Sequence, residues 1–154
     1  MDHSINPIDR PSRLPLLAHI TVVALLLLSF ISGALIWYGE YVNDITDLNS
    51  TPFNVQPWRV LHGVLNPFLC VLFGSLLIQH IRIGWRIKAN RVSGFLMEAV
   101  ISLLILTGAG IYYAPESWQE WIAPTHKIFG LLVPLSLTIH WIAAQIWVKK
   151  NCQK

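Results

Sequence analysis

Histidine is the residue type in this 154-residue sequence whose placement points most directly to chemistry. Six histidines occur, and five fall inside or at the edges of long apolar stretches: His19, His62, His80, His126 and His140. A histidine inside a lipid bilayer is rare and is by default a hypothesis for a functional site. One alone is well explained by a hydrogen bond to a neighbouring helix, but five in four short stretches favour a role as metal ligands.

Two histidines on the last apolar stretch have a spacing that suits a pair of metal cofactors. His126 and His140 are 14 residues apart, which in an α-helix places them about 40° apart around the axis and about 21 Å apart along it. The helix therefore offers two imidazoles on one face, one near each membrane surface. This arrangement suits two haems stacked across the membrane, each of which takes its other axial ligand from another helix.

Candidate partners for these imidazoles lie on the first two apolar stretches. His62 begins the second stretch at a depth like that of His126, so it is the expected partner near the outer surface. At the inner surface the sequence offers two choices. His80 lies about 27 Å inward from His62, which is about one helical turn beyond the level of His140. His19 matches that level better and is the preferred ligand, with His80 as the alternative.

Small and charged residues near the histidines complete the candidate site. Glycines leave room for the face of a porphyrin, although close helix packing explains them equally well. Arg59 is placed to pack against a haem or to bind a propionate group. Glu98 is the one carboxylate clearly within an apolar stretch, either as a proton-handling group beside a quinone or as an interfacial residue. The candidate glycines are Gly33, Gly63 and Gly130.

The elements that must position these residues are four membrane-spanning helices. The apolar stretches run over about 14–39, 60–82, 92–113 and 123–148, and each can cross a hydrocarbon layer of about 30 Å as a helix. Helices are favoured because backbone groups in lipid must satisfy their hydrogen bonds internally. The sequence therefore predicts an all-α, integral membrane four-helix bundle, with a single domain over 1–154.

Composition supports this fold class and argues against others. Hydrophobic residues make up 54% of the chain and charged residues 12%, whereas a soluble domain carries roughly 25% charged residues. The basic residues fall between the apolar stretches, as membrane topology places them, so we expect no nucleic-acid partner. No C-x-x-C-H motif occurs, which excludes covalent c-type haem attachment.

The loops predict the orientation of the helices. Basic residues concentrate at the N-terminus, in the second loop and at the C-terminus, whereas acidic residues dominate the other two loops. The positive-inside rule therefore predicts that both termini lie in the cytoplasm. The basic residues concerned are Arg10, Arg13, Arg82, Arg86, Lys88, Arg91, Lys149, Lys150 and Lys154.

A weak internal repeat relates the two halves of the chain. In each half, the first helix ends in small and aromatic residues, and the helix that follows has a histidine near each end. These histidines are His62 and His80 in the first half, and His126 and His140 in the second. Two copies of a helical hairpin form a four-helix bundle. The match is loose because the histidine spacing differs between the halves.

The sequence resembles the bacterial di-haem cytochrome b family that includes the membrane subunits of formate dehydrogenase and nickel–iron hydrogenase. The resemblance is carried by RLPLLAHITVVALLLLSFISG on the first stretch, WRVLHG on the second and THKIFGLLVPLSLTIHW on the fourth. In that family the first and second helices supply one haem ligand each and the fourth supplies two. The resemblance therefore implies His19 paired with His140 and His62 paired with His126 as ligands of haem iron.

The function that the resemblance implies is electron transfer through two haem b groups in the bacterial inner membrane. The expected partners, besides the lipid bilayer, are a quinone or quinol near the inner haem and a periplasmic oxidoreductase or cytochrome c at the outer face. The chain has no room for a substrate-oxidising domain, so we expect a subunit of an oxidoreductase complex rather than a stand-alone enzyme. The alternatives are a haem-free membrane scaffold or assembly protein, and a metal transporter.

Overall fold

Helices make up nearly all of the structure, a computed structural model that describes residues 16–46, 52–86, 88 and 90–152. Four of them are long and apolar enough to cross a membrane, which confirms the prediction of an all-α chain with four membrane-spanning helices. A π-helical turn, Leu77–Ile81, joins the second helix to the third. The helices are α1 (Leu16–Ile45), α2 (Gln56–Leu76), α3 (Arg82–Arg86), α4 (Arg91–Tyr113) and α5 (Glu116–Cys152).

Several helices extend beyond the apolar stretches that predicted them. Helix α1 continues past the predicted end at 39 to Ile45, and α5 begins at Glu116 rather than at 123. An apolar stretch marks only the part of a helix that lies in hydrocarbon, and polar turns at its ends continue the backbone hydrogen bonds beyond it. The predicted start of the first stretch, at 14, lies outside the described residues, as do Arg10 and Arg13.

The long helices pack as two hairpins. Helix α1 packs along α2, helix α4 packs along α5, and α5 also contacts α1. Asn43 holds the connection of the first hairpin, because its side chain donates to the Phe53 carbonyl oxygen at 3.0 Å and accepts from the Phe53 amide at 2.7 Å. In the second hairpin the Gln119 side chain donates to the carbonyl oxygens of Gly110 and Ala114. Those carbonyls lie at the end of α4, where several acceptors have no partner within the helix, and the Gly110 oxygen also accepts from the Ala114 amide.

Small residues occupy most of the buried positions between the helices. Large apolar side chains such as Leu27, Phe68 and Leu106 are exposed instead, as expected for surfaces that face lipid. A cavity of about 780 Å³ runs through the centre of the bundle and is lined by α1, α2, α4 and α5. The buried residues in the described part of the chain are Ser32, Gly39, Leu65, Ser93, Val100, Gly108, Val133 and Ser136.

Gly39 on α1 marks the closest packing of the first hairpin. A Cβ at this position would overlap the Phe53 ring and the Val55 side chain. We expect Gly39→Ala to displace the segment 52–55 and to lower the free energy of unfolding by about 1–3 kcal/mol, the usual cost of overpacking. Thermal melting in detergent measures the loss. Gly74→Ala is the matched control, because nothing lies within 4 Å of a Cβ there, and equal losses in both variants would contradict this packing.

Candidate cofactor site between the helices

Two pairs of histidine rings face each other inside the bundle. The centroids of the His62 and His126 rings are 6.2 Å apart, with the ring planes at 90°. The centroids of the His80 and His140 rings are also 6.2 Å apart, with the planes at 80°. In each pair one ring comes from α2 or the π-helical turn that follows it, and the other comes from α5. All four residues line the central cavity.

The separation within each pair is that of two imidazoles bound to one metal atom. A bond from a metal to an imidazole nitrogen is about 2 Å long and the ring centre lies about 1 Å behind the nitrogen, so opposed ligands have centroids roughly 6 Å apart. Edge-to-face packing of aromatic rings covers a broader range, about 4.5–7 Å. The separation fits both arrangements, and the hydrogen bonds of the rings show which nitrogen of each ring is left to bind a metal.

The first pair is held through the Nδ1 atoms of both rings. His62 Nδ1 lies 3.0 Å from the Ser29 carbonyl oxygen and 3.0 Å from Ser32 Oγ, and His126 Nδ1 lies 2.9 Å from Thr107 Oγ1. The Ser32 and Thr107 hydroxyls each donate to a carbonyl oxygen of their own helix. Each hydroxyl has thus used its proton, so the histidine Nδ1 is the donor in both cases.

His140 in the second pair is held in the same way. Its Nδ1 lies 3.2 Å from Ser93 Oγ, and Ser93 Oγ lies 2.7 Å from Asn90 Oδ1. The Asn90 oxygen accepts the hydroxyl proton, so Ser93 Oγ accepts from His140 Nδ1. With Nδ1 protonated, Nε2 keeps its lone pair, which is the form of imidazole that binds a metal. The hydrogen bonds of His62, His126 and His140 therefore suit metal ligation.

A glycine next to each supporting hydroxyl residue lets the ring approach the neighbouring helix. A Cβ added to the glycine would lie 3.3 Å from the ring carbon Cε1 in two cases and 3.8 Å in the third. In the two closer cases the Ser/Thr–Gly dipeptide supplies both the hydrogen bond and the space for one histidine of its hairpin partner, whereas at 3.8 Å a Cβ would make an ordinary contact. The three dipeptides are Ser32–Gly33 against His62, Ser93–Gly94 against His140 and Thr107–Gly108 against His126.

Most of these supporting residues were not predicted from the sequence. Gly33 was proposed as space for a porphyrin, and the structure places it on the cavity wall, against the His62 ring. The available signal was the repeated Ser/Thr–Gly dipeptide. Two copies on α4, at Ser93 and Thr107, are spaced by 14 residues, as are the two histidines on α5 that they hold.

The two candidate partners of His140 occupy different places. His80, the alternative in the sequence analysis, faces His140. His19, the preferred choice there, lines the same cavity from α1 with an exposed side chain. The depth comparison assumed a uniform straight helix between His62 and His80, whereas Pro67 lies within α2 and a π-helical turn contains His80. The geometry therefore favours His80, and π-helical turns are frequent at functional sites.

The other predicted residues differ in their relation to the cavity. Gly130 lines it, and nothing lies within 4 Å of a Cβ added there, which fits the open space proposed for it. Gly63 faces the Tyr112 hydroxyl, 3.6 Å from its added Cβ. Glu98 lines the cavity with a partly buried side chain, on the half of α4 that carries Ser93.

Arg59 takes part in an ion-pair cluster near the His62–His126 pair. Glu40 on α1 accepts from Arg59 Nη2 at 2.9 Å and from Lys127 Nζ at 3.0 Å. The cluster joins α1, α2 and α5. Because two cations share one carboxylate, the local charge is positive, and this is compatible with the propionate-binding role predicted for Arg59.

The metal-ligating side chains around the cavity suit a cofactor in which the metal already has most of its ligands. Across the described ranges, no three His, Cys, Asp or Glu side chains come together, whereas a bare ion such as Zn²⁺ takes about four ligands. Haem iron takes only its axial ligands from the protein. The cavity of about 780 Å³ is lined by both histidine pairs, so it provides space between the helices beside each of them. The residues present therefore fit haem.

Comparison with protein-family models, with curated proteins and with solved structures finds no match to this chain. The resemblance to the di-haem cytochrome b family therefore rests on the sequence motifs alone and stays a prediction. The fold and the site define a multi-pass membrane protein with two matched histidine pairs in its interior.

The Glu40 cluster should contribute a small stability that depends on salt. We expect Glu40→Gln to lower the melting temperature at low ionic strength, because Arg59 and Lys127 lose the charge between them. The three side chains are 36–51% exposed, so the expected loss is only about 0–1 kcal/mol, and high salt should reduce it by screening. Glu120→Gln, which has no ion pair in the described part of the chain, is the control. A loss that is the same at both salt concentrations would contradict an ionic role.

Proposed function

We propose that this chain is a membrane b-type cytochrome that transfers electrons across the bilayer through two bis-histidine haems. The sites are the His62–His126 pair and the His80–His140 pair. The observation that carries the proposal is their repeated geometry, with the same 6.2 Å centroid separation in two pairs that line one cavity. A structural histidine needs only a hydrogen-bond partner, and nothing in that role requires two matched ring pairs.

The surrounding residues have roles that follow from their contacts. The Nε2 atoms of the four imidazoles would bind the haem irons, and bound haem supplies reversible one-electron redox chemistry. The hydroxyl oxygens of Ser32, Ser93 and Thr107 accept from the Nδ1 atoms of three of these imidazoles. These hydrogen bonds fix the tautomer of the three rings and would make each of them a better electron donor to the metal. The mainly apolar walls of the cavity limit water access, and this also tunes a redox potential.

The distance between the two pairs supports transfer across the membrane. His126 and His140 are separated by about 21 Å of helix along α5, with Pro134 between them, and this length covers most of a hydrocarbon layer of about 30 Å. Each pair is therefore close enough to one surface to exchange electrons with a partner there.

We also propose an orientation and a set of partners. Arg82, Arg86 and Lys149 lie at the end of the bundle that holds the His80–His140 pair, which supports a cytoplasmic position for this end and for both termini in a bacterial inner membrane. A quinone or quinol would react near this pair, where Glu98 lines the cavity and can carry a proton. A periplasmic oxidoreductase or cytochrome c would dock at the opposite end, making the chain one subunit of an oxidoreductase complex.

Haem content is the first test of this function. Protein purified from haem-replete cells should contain two non-covalent haem b groups per chain, because two pairs of axial ligands are present. A pyridine haemochrome assay measures the number. Thr107→Val and Ser93→Ala test the supporting hydroxyls and should each weaken the retention of one haem by about 10-fold or more. Haem-free wild-type protein from such cells would contradict the function.

Substitution of His80 and His19 decides the second ligand pair. His80→Ala should lose the haem bound with His140, because the His80 ring faces His140 across 6.2 Å. His19→Ala should keep both haems, with at most a shifted potential. Redox titration and haem content of both variants provide the measurement. Loss of a haem in His19→Ala with retention in His80→Ala would restore the pairing that the family resemblance implies.

A further inference from the structure

We infer that Asn90 is a positioning residue for His140, which sets the orientation and the tautomer of this ligand and thereby the potential of its haem. The inference rests on the proposed function and extends it to a residue in the connection between α3 and α4. No motif in the sequence marks Asn90. Its role follows from its backbone conformation and from three hydrogen bonds.

Asn90 immediately precedes α4 with a left-handed backbone, φ 51° and ψ 37°. Asparagine is one of the few residues other than glycine that adopt this conformation readily. Its side chain makes no capping hydrogen bond to α4. Instead, Asn90 Nδ2 donates to the His140 carbonyl oxygen at 3.1 Å, and Oδ1 accepts from Ser93 Oγ at 2.7 Å.

These contacts close a ring of hydrogen bonds around the ligand. The His140 Nδ1 donates to Ser93 Oγ, the Ser93 hydroxyl donates to Asn90, and Asn90 donates back to the backbone of His140. One amide group therefore contacts both the residue that holds the imidazole and the main chain from which the imidazole projects. Asn90 also lines the central cavity.

The position of Ser93 explains why this site needs an added acceptor. Thr107 lies in the interior of α4 and donates its proton to the Leu103 carbonyl oxygen, four residues earlier. Ser93 lies in the first turn of α4, three residues after Asn90. Among the described residues, the backbone acceptor of Ser93 Oγ is the Asn90 carbonyl oxygen at 3.4 Å, compared with 2.7 Å for Asn90 Oδ1. The Asn90 side chain thus provides the acceptor that the helix supplies elsewhere.

The chemistry of the network gives the direction of its effect on the haem. A hydroxyl that donates a good hydrogen bond becomes a better acceptor for the next one. Asn90 therefore strengthens the bond from His140 Nδ1 to Ser93 and makes Nε2 a stronger donor to iron. A stronger donor stabilises the oxidised metal, so removal of the Asn90 side chain should raise the potential of this haem. A carboxylate in the same place should lower it.

Asn90→Gly and Asn90→Asp separate this role from a general structural one. Glycine and aspartate both tolerate the left-handed backbone, so neither variant strains the connection. Redox titration should show a higher potential in Asn90→Gly and a lower potential in Asn90→Asp for the haem of the His80–His140 pair, with the other haem unchanged. Asn90→Gly should also retain the haem of the His80–His140 pair about 10-fold more weakly.

Ser136→Ala is the matched control. Ser136 is a buried serine on α5, one turn before His140, and its hydroxyl contacts the Val133 carbonyl oxygen and Met97 Sδ rather than a histidine. This variant should leave both potentials unchanged. A purely structural role for Asn90 predicts lower haem occupancy in both Asn90 variants without opposite shifts, and that result would overturn the inference, as would equal shifts at both haems.

Nitrogen-15 NMR of histidine-labelled, haem-free protein provides a readout that does not depend on haem. His140 should be protonated at Nδ1 in the wild type and should become a mixture of tautomers in Asn90→Gly. An unchanged tautomer in that variant would overturn the positioning of His140 by Asn90. Absence of haem from every haem-replete preparation would instead overturn the proposed function, and with it the effect on potential.

Discussion

The hydrogen bond from a histidine Nδ1 to the neighbouring helix is the interaction on which the rest of the interior depends. It fixes the tautomer of the ring, and at Gly33 and Gly108 the glycine beside the accepting residue lets the ring approach closely. In all three cases the support comes from the other helix of the same hairpin. A shift of α4 along α5 by one turn would therefore separate both α5 histidines from their hydroxyls. The geometry of the site thus requires one register of the hairpin.

The same constraint explains why the centre of the bundle is so open. Positions that face the histidines must carry serine, threonine or glycine, so they contribute little apolar packing. Only Leu65, Val100 and Val133 are buried apolar residues in the described ranges, beside a cavity of about 780 Å³. Under the proposed function, the cofactors would pack this space, and binding to the folded state alone would add to its stability. The hairpin connections join the helices at the end of the bundle that holds the His62–His126 pair, and the Glu40 cluster adds a small ionic contact there.

The sequence predicted the helices and three of the four ring positions for clear physical reasons. The length of an apolar stretch shows that a helix can span lipid, and a spacing of 14 residues places His126 and His140 on one face whatever the neighbouring helices do. The pairing of His62 with His126 needed only a common depth near one end of the bundle. These features depend on one helix at a time, so a single sequence contains them.

Features that depend on how two segments meet were not predictable in this way. The position of the His80 ring opposite His140 depends on the course of α2 past Pro67 and on the π-helical turn at Leu77–Ile81. The Ser/Thr–Gly dipeptides are visible in the sequence, but their role depends on hairpin register. Asn90 acts through a left-handed backbone in a connection, which no apolar pattern indicates.

The location of iron in the loaded protein tests the central claim most directly. Anomalous diffraction at the iron absorption edge, from crystals of the haem-replete protein, should show two iron positions. One should lie between His62 and His126 and the other between His80 and His140, about 21 Å apart as the spacing on α5 implies. Iron bound by only one pair, iron bound by His19, or crystals with no ordered iron at either pair would contradict the account.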